Sequence, residues 1–278
     1  MLKSKKRVVI IMSVIAVLFV LLVLGSALFS LQSVKIEFAL IKTENSMLAT
    51  YDKDEMVKTG QFAYGKNILF LNFDQSIEQI EKAYPYAKVV KVTRNFPNSA
   101  VVYVTEREPL FKVRQTDGSC YVLDGDLKVL SHSTGQLSDV EESLPEWNSF
   151  PIPQGVEVGS FIDNDELRQV ILSISSAVVD DDVKLNMSVM SSISLENIQG
   201  SEDQLLTIVL DDSVTIKITG TNNLLEKALG AFNLYQTEVQ AVPEKYPDKT
   251  QVVITVTKNY SLENNLGISV SGGVIVQE

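Results

Sequence analysis

His132 is the only histidine among 278 residues and Cys120 the only cysteine, so the side chains that most often hold zinc or pair as nucleophile and base occur once each. That count excludes a multi-histidine zinc site and a disulfide framework. Ser131 directly precedes His132, but adjacency in sequence does not place a hydroxyl against an imidazole. Asp124-Gly125-Asp126 and Asp180-Asp181-Asp182 could attract calcium, yet neither has the ligand spacing of an EF-hand loop, and turn and helix-end chemistry accounts for both. Neither GxGxxG after a strand nor a complete GxxxxGK[ST] loop is present for nucleotide phosphates. These residues predict no enzyme, no cofactor and no metal. Function should reside in surfaces.

The element that dictates where those surfaces lie is an uncharged run, Val8–Phe29, behind Lys3, Lys5, Lys6 and Arg7. At about 1.5 Å per residue it is long enough to cross an apolar core of roughly 30 Å as one helix. Positive charge on the short flank holds residues 1–7 in the cytoplasm and sends everything after Phe29 outside, a single-pass type II topology in the cell membrane. A cleaved signal peptide is the rival reading. Its apolar core is usually about 7–15 residues, shorter than this run, although Gly25, Ser26 and Ala27 supply small residues near the end.

Four of the 24 Lys and Arg precede Val8, which leaves 20 against 35 Asp and Glu and a formal charge of −15 on the exported part. Nucleic acid is excluded as a partner by that sign. With one cysteine, stability must come from packing, and about 240 exported residues suffice for two cores.

Residues 34–109 read as a small mixed domain. Val34, Ile36, Phe38 and Leu40 alternate with polar or small residues as in a half-buried strand. Asp52 to Gly60 predicts a short helix, Gly65-Lys66-Asn67 a turn, and Asp74 the cap of a second helix with Ile77, Ile80 and Tyr84 on one face before Pro85. Lys88–Arg94 and Ala100–Glu106 form a hairpin around Asn95–Ser99. Arg94 and Glu106 are expected as a cross-strand ion pair, worth only a fraction of a kcal/mol if exposed (about 0.2–1). The order is β-α-α-β-β.

Gly65-Lys-Asn67-Ile-Leu, Val92-Thr-Arg94-Asn-Phe-Pro97 and Val102-Tyr-Val-Thr-Glu106-Arg107-Glu-Pro109 resemble the POTRA domain of the bacterial cell-division family FtsQ, called DivIB in Gram-positive bacteria. The resemblance implies a non-enzymatic scaffold at the division septum that links early and late division proteins. It further implies binding to FtsL and to FtsB or its counterpart DivIC, among other divisome membrane proteins. POTRA domains recur on unrelated proteins, so an envelope transport or assembly adaptor, or a general membrane-anchored binding module, is the alternative.

Residues 110–260 predict a strand-rich α+β domain, which resembles the β-domain that follows POTRA in the family. Leu110–Gln115, Ser119–Leu123 and Leu127–Leu130 form a meander, and part of the Pro-bearing stretch Ser131–Gly159 wraps the core. Asp163 and Glu166 are read as a capping box for a helix through Val178, and Asn223 with Glu226 as one for a helix through Tyr235. A weaker strand, Ser191–Ile198, precedes the hairpin Leu205–Leu210 and Val214–Thr219. A last strand, Gln251–Thr257, is expected at a sheet edge. The resemblance places partner binding where that strand and the tail after it meet the partner, at Val252, Ile254, Val256, Lys258 and Tyr260, although Thr255-Val256-Thr257 stands where many members carry Asp-hydrophobic-Arg. In residues 261–278, Leu266, Ile268, Val270, Val274 and Val276 alternate as a further strand or tail.

Overall fold

A computed structural model describes residues 12–17, 28–40, 46–180, 183, 185–261 and 266–272. The expected span at 8–29 lies mostly outside them; residues 12–17 are helical, and no helix among the described residues is long and apolar enough to cross a membrane. The chain separates into two compact units, Met1–Arg107 and Glu108–Glu278.

The first unit has the predicted order: β1 (Ser33–Leu40), α1 (Lys53–Thr59), α2 (Asp74–Ala83), β2 (Ala87–Asn95) and β3 (Ser99–Glu106). β3 is central, parallel to β1 and antiparallel to β2. Val34, Ile36, Val102 and Val104 face Met56 and Ile80 from the two helices in one core. The Asp52 carboxylate accepts from Glu55 N at 2.9 Å and caps α1 as expected. Gly60 ends α1 for a different reason from the usual left-handed turn: its φ is −63°, but a Cβ there would lie 2.7 Å from the Phe62 ring. Asp74 is the first residue of α2 rather than its cap, and Asn72 Oδ1 accepts from Asp74 N at 2.8 Å.

The second unit is a nine-stranded sheet. Its elements are β4 (Phe111–Arg114), β5 (Cys120–Leu123), β6 (Val129–Ser133), α3 (Asp139–Glu142), β7 (Glu146–Asn148), α4 (Asp165–Val178), β8 (Met190–Asn197), β9 (Gln204–Leu210), β10 (Thr215–Thr219), α5 (Leu224–Leu234), β11 (Val253–Ser261) and β12 (Leu266–Ser271). The strand order is β12-β11-β10-β9-β8-β7-β4-β5-β6. The stretch expected in part to wrap the core also supplies β7, which is parallel to both β4 and β8 and joins the meander to the rest of the sheet.

Register explains why this sheet holds together. Trp147, Ile193, Ile208, Ile216 and Ile254 are successive cross-strand neighbours over five strands, all buried, and Val270 of β12 extends the row. Because side chains alternate faces, that row fixes the same face toward α4 and α5, whose Ile171, Ile174, Ala228 and Phe232 belong to the same core. Two expected caps are corrected. Asn164, not Asp163, caps α4, accepting from Leu167 N at 3.0 Å. Asn223 precedes α5 at φ 51° with no side-chain cap.

The edge prediction for the last strand is also corrected. β11 lies inside the sheet, parallel to β10 and covered on its other side by antiparallel β12. The tail alternation is therefore a real strand over Leu266–Ser271, while Val274 and Val276 lie outside the described residues.

Candidate functional site

The single histidine and cysteine sit on neighbouring strands but not together. Cys120 of β5 pairs with Ser133 of β6, whereas His132 pairs with Tyr121 and stacks on its ring at 4.2 Å. Successive residues of a strand face opposite sides, so His132 and the Cys120 thiol point away from each other. Cys120 is buried, and that burial pushes its thiol pKa up, the reverse of what a reactive thiolate needs. Ser131 donates to Glu141 rather than to His132. Gly60 to Lys66 does have the glycine and lysine spacing of a phosphate loop. It follows a helix rather than a strand, with Asn67 in the Ser/Thr position, and so lacks that loop's structural context.

The seven POTRA motif residues divide into two groups. Gly65 turns the chain at φ 82°, Asn67 Oδ1 accepts from Leu69 N at 3.0 Å, and Pro97 sits in the β2–β3 turn. Arg94 reaches across to this group: Nε donates to Ile68 O at 2.9 Å and Nη2 to Leu71 O at 2.7 Å. The expected Arg94–Glu106 pair is not formed. Arg94 stands opposite Ala100 and Glu106 opposite Ala87, at opposite ends of the hairpin. Glu106 accepts from Leu48 N instead, at 3.2 Å. Arg107, only 5% exposed, bonds Glu81 of α2 at 2.9 Å and Ala87 O at 3.3 Å. Pro109 is half-buried in the extended segment after β3 and falls in the second unit.

The predicted partner-binding residues, Val252 just before β11 and four on it, also divide. Val252, Ile254 and Val256 are fully buried and Tyr260 nearly so; Lys258 is exposed and bonds Asp203 at 2.8 Å. That hydrogen bond holds the Asp203 carboxyl below its usual range and raises the Lys258 ammonium. Beneath them Lys227 of α5 is buried, with Nζ donating to Thr219 O at 2.8 Å and Gly220 O at 2.9 Å, and burial pushes its pKa down. Tyr260 lies under Gly230 of α5, where a Cβ would come within 2.1 Å of the phenol oxygen. These contacts fix β11 as a platform.

What the platform presents is β12. Leu266-Gly-Ile-Ser-Val-Ser271 contains no charge and no proline, the usual devices that blunt an exposed edge. Its outer backbone has no neighbouring strand among the described residues. The opposite edge is different, because Gly159–Ile162 covers β6: Val129 N donates to Ser160 O at 2.9 Å and Gly159 N to Val129 O at 2.8 Å. β12 is thus an edge able to accept an added strand through its main chain.

A second network braces the same region from the far end of α5. The chain continues as a π-helical turn, Tyr235–Gln240. Tyr235 Oη donates to Asp212 at 2.8 Å, and Lys249 Nζ bonds the same carboxylate at 2.7 Å. Burial pushes the Asp212 carboxyl up, but the hydrogen bonds from Lys249 and Tyr235 outweigh it and hold it below the usual range. Burial and this carboxylate push the Tyr235 phenol well up. The sequence carries no signal for the network, whose members are 23 and 37 residues apart.

Residues 47–107 match the family model of the POTRA domain, FtsQ-type. A cell division protein FtsQ of Corynebacterium glutamicum is 29% identical over 108 residues, covering 38% of this chain and 48% of that protein. The similarity thus spans about half the length of this curated relative. The β-α-α-β-β unit with β3 at its centre, the FtsQ-type match upon it and the FtsQ relative together support the FtsQ/DivIB family for this chain.

Proposed function

We propose that the protein is a non-enzymatic scaffold of the bacterial division septum, anchored by one span at residues 8–29 with residues 1–7 in the cytoplasm. Residues 34–109 form its POTRA domain, 110–260 its β-domain and 261–278 a C-terminal strand or tail. It links early and late division proteins through contacts outside the cytoplasm with FtsL and with FtsB or DivIC. The observation that carries this reading is the FtsQ-type POTRA match over residues 47–107.

The open β12 edge supports strand addition as the mode of binding. A partner segment would take its affinity from main-chain hydrogen bonds along β12 and its selectivity from alternate side chains, with Lys258 at the rim. Val252, Ile254, Val256 and Tyr260 then act from below, holding the edge in place. Depletion of the protein in its own bacterium is expected to give filaments or chains of undivided cells. A reporter fused after Glu278 is expected to be active only outside the cytoplasm. Normal division after depletion would remove the scaffold reading in favour of a transport or assembly adaptor.

A further inference from the structure

Between residues 46 and 107 six large apolar side chains are exposed, and four of them, Tyr64, Leu69, Phe70 and Phe96, lie at one end of the first unit. Phe70 is the extreme case at 85% exposed. This is the end at which the chain arrives from the apolar run. Phe29 O accepts from Ile68 N at 2.8 Å, Leu31 N donates to Lys66 O at 2.8 Å, and Gln32 N donates to Asn98 O at 2.8 Å. The Phe29 ring meets Phe96 edge-on at 6.1 Å. Residues 29–32 are therefore held between the Tyr64–Phe70 loop and the β2–β3 turn, and Phe70 is only two residues, at most about 7 Å of chain, beyond the Phe29 contact.

The exposed tip is also braced. Arg94 ties down the carbonyls of Ile68 and Leu71 on either side of Leu69 and Phe70, which keeps those two side chains outward. Charge at this end is unlike that of the exported part as a whole. Residues 61–73 and 82–105 contain no Asp or Glu, and Lys66 is exposed in the loop, although the exported part as a whole is strongly acidic. Asp74, bonded to Asn72, is the carboxylate nearest this loop in sequence.

We infer that this end of the POTRA unit docks on the bilayer, with Phe70 and Leu69 inserted among the headgroups of anionic phospholipids and Tyr64 and Phe96 beside them. The inference rests on Val8–Phe29 being the membrane span. Aromatic side chains favour this interfacial layer, and an apolar loop fixed within a few ångströms of an emerging span cannot avoid it. Lys66 would meet the lipid phosphates, as interfacial segments with basic flanks do at a depth of roughly 5–10 Å. The far end of the unit, with Glu106 and Ala83, stays in water: β3 from Ser99 to Glu106 sets the two ends about 23 Å apart.

The test uses the full chain reconstituted in vesicles of phosphatidylglycerol and phosphatidylethanolamine, with an indole probe introduced by Phe70→Trp or, at the exposed far end of α2, by Ala83→Trp. The natural Trp147 is buried and gives a common background. Emission from the Phe70→Trp probe should shift to the blue and be quenched by lipids brominated just below the headgroup, whereas the Ala83→Trp probe should be quenched only by aqueous iodide. If the protein resists alkaline extraction but the two probes behave alike, both open to iodide, docking is wrong while the span stands. Shielding of the Phe70→Trp probe that grows with protein-to-lipid ratio and ignores brominated lipid would assign the patch to a second copy of this chain, which also overturns the inference. Release of the protein by alkaline extraction would overturn the span and the docking together.

Discussion

At the scale of single residues, the side chains that matter most act through partners far away in sequence. Arg107 and Glu81 are 26 residues apart, and their side chains are 4% and 14% exposed. Glu81 also accepts from Val89 N at 2.7 Å, but removing Arg107 takes away its buried counter-charge, and breaking such a pair typically costs about 3–5 kcal/mol. Arg107→Ala should therefore lower the denaturant midpoint of the first unit sharply, and more than Arg94→Ala, whose partners are two carbonyls near solvent. Tyr260 offers a contrast: its hydroxyl is buried with no hydrogen-bond partner among the described residues. Tyr260→Phe should leave stability unchanged or raise it by roughly 1–3 kcal/mol, while Gly230→Ala, which forces a Cβ onto that phenol, should cost about 1–3 kcal/mol. Urea unfolding of the variants checks both. The motif residues Arg94, Glu106 and Arg107 were legible as special in the sequence, but their partners were not. The sequence reading paired Arg94 with Glu106, which lies at the other end of the hairpin, whereas the guanidinium reaches the loop carbonyls of Ile68 and Leu71.

At the scale of elements, patterns longer than about five residues were legible because burial on one face imposes a period. β1, β2, β3, α4 and the β9–β10 hairpin all follow from alternation or an apolar helical stripe. β7 escaped because three residues behind Pro145 are too few to show a period, although Trp147 makes it the hinge of the sheet. Strand order was not legible either: β11 reads as the last regular strand, but the tail folds back on it and takes the edge. This moves the decisive substitution. Proline within β11 would break ladders on both sides and unfold the sheet. Ser269→Pro or Val270→Pro, whichever removes the N–H that faces away from β11, should weaken partner binding while leaving β11 paired. Equal affinity for both folded β12 variants would exclude the edge as the contact. The Asp212 network makes a separate prediction about acid. A carboxyl whose folded pKa is depressed contributes stability that is complete above its unfolded value of about 4 and is lost as pH falls through the lower folded value. The native protein should therefore lose stability more steeply below about pH 4 than Asp212→Asn, as followed by unfolding midpoints against pH.

At the scale of the whole molecule, the two units divide the work by physical character. The first is small, with its POTRA motif residues spent on fixing a loop, a turn and the end of a helix. The second carries a wide sheet with one edge covered by Gly159–Ile162 and the other without a neighbouring strand among the described residues. The FtsQ-type match and the FtsQ relative support a cell-division scaffold, the role we propose for this protein. The most direct measurement of that claim is the position of a fluorescent fusion of the full chain in dividing cells of its own bacterium. A division scaffold should concentrate at midcell before constriction and stay there until septation. Uniform distribution around the envelope in cells that divide normally would contradict the account.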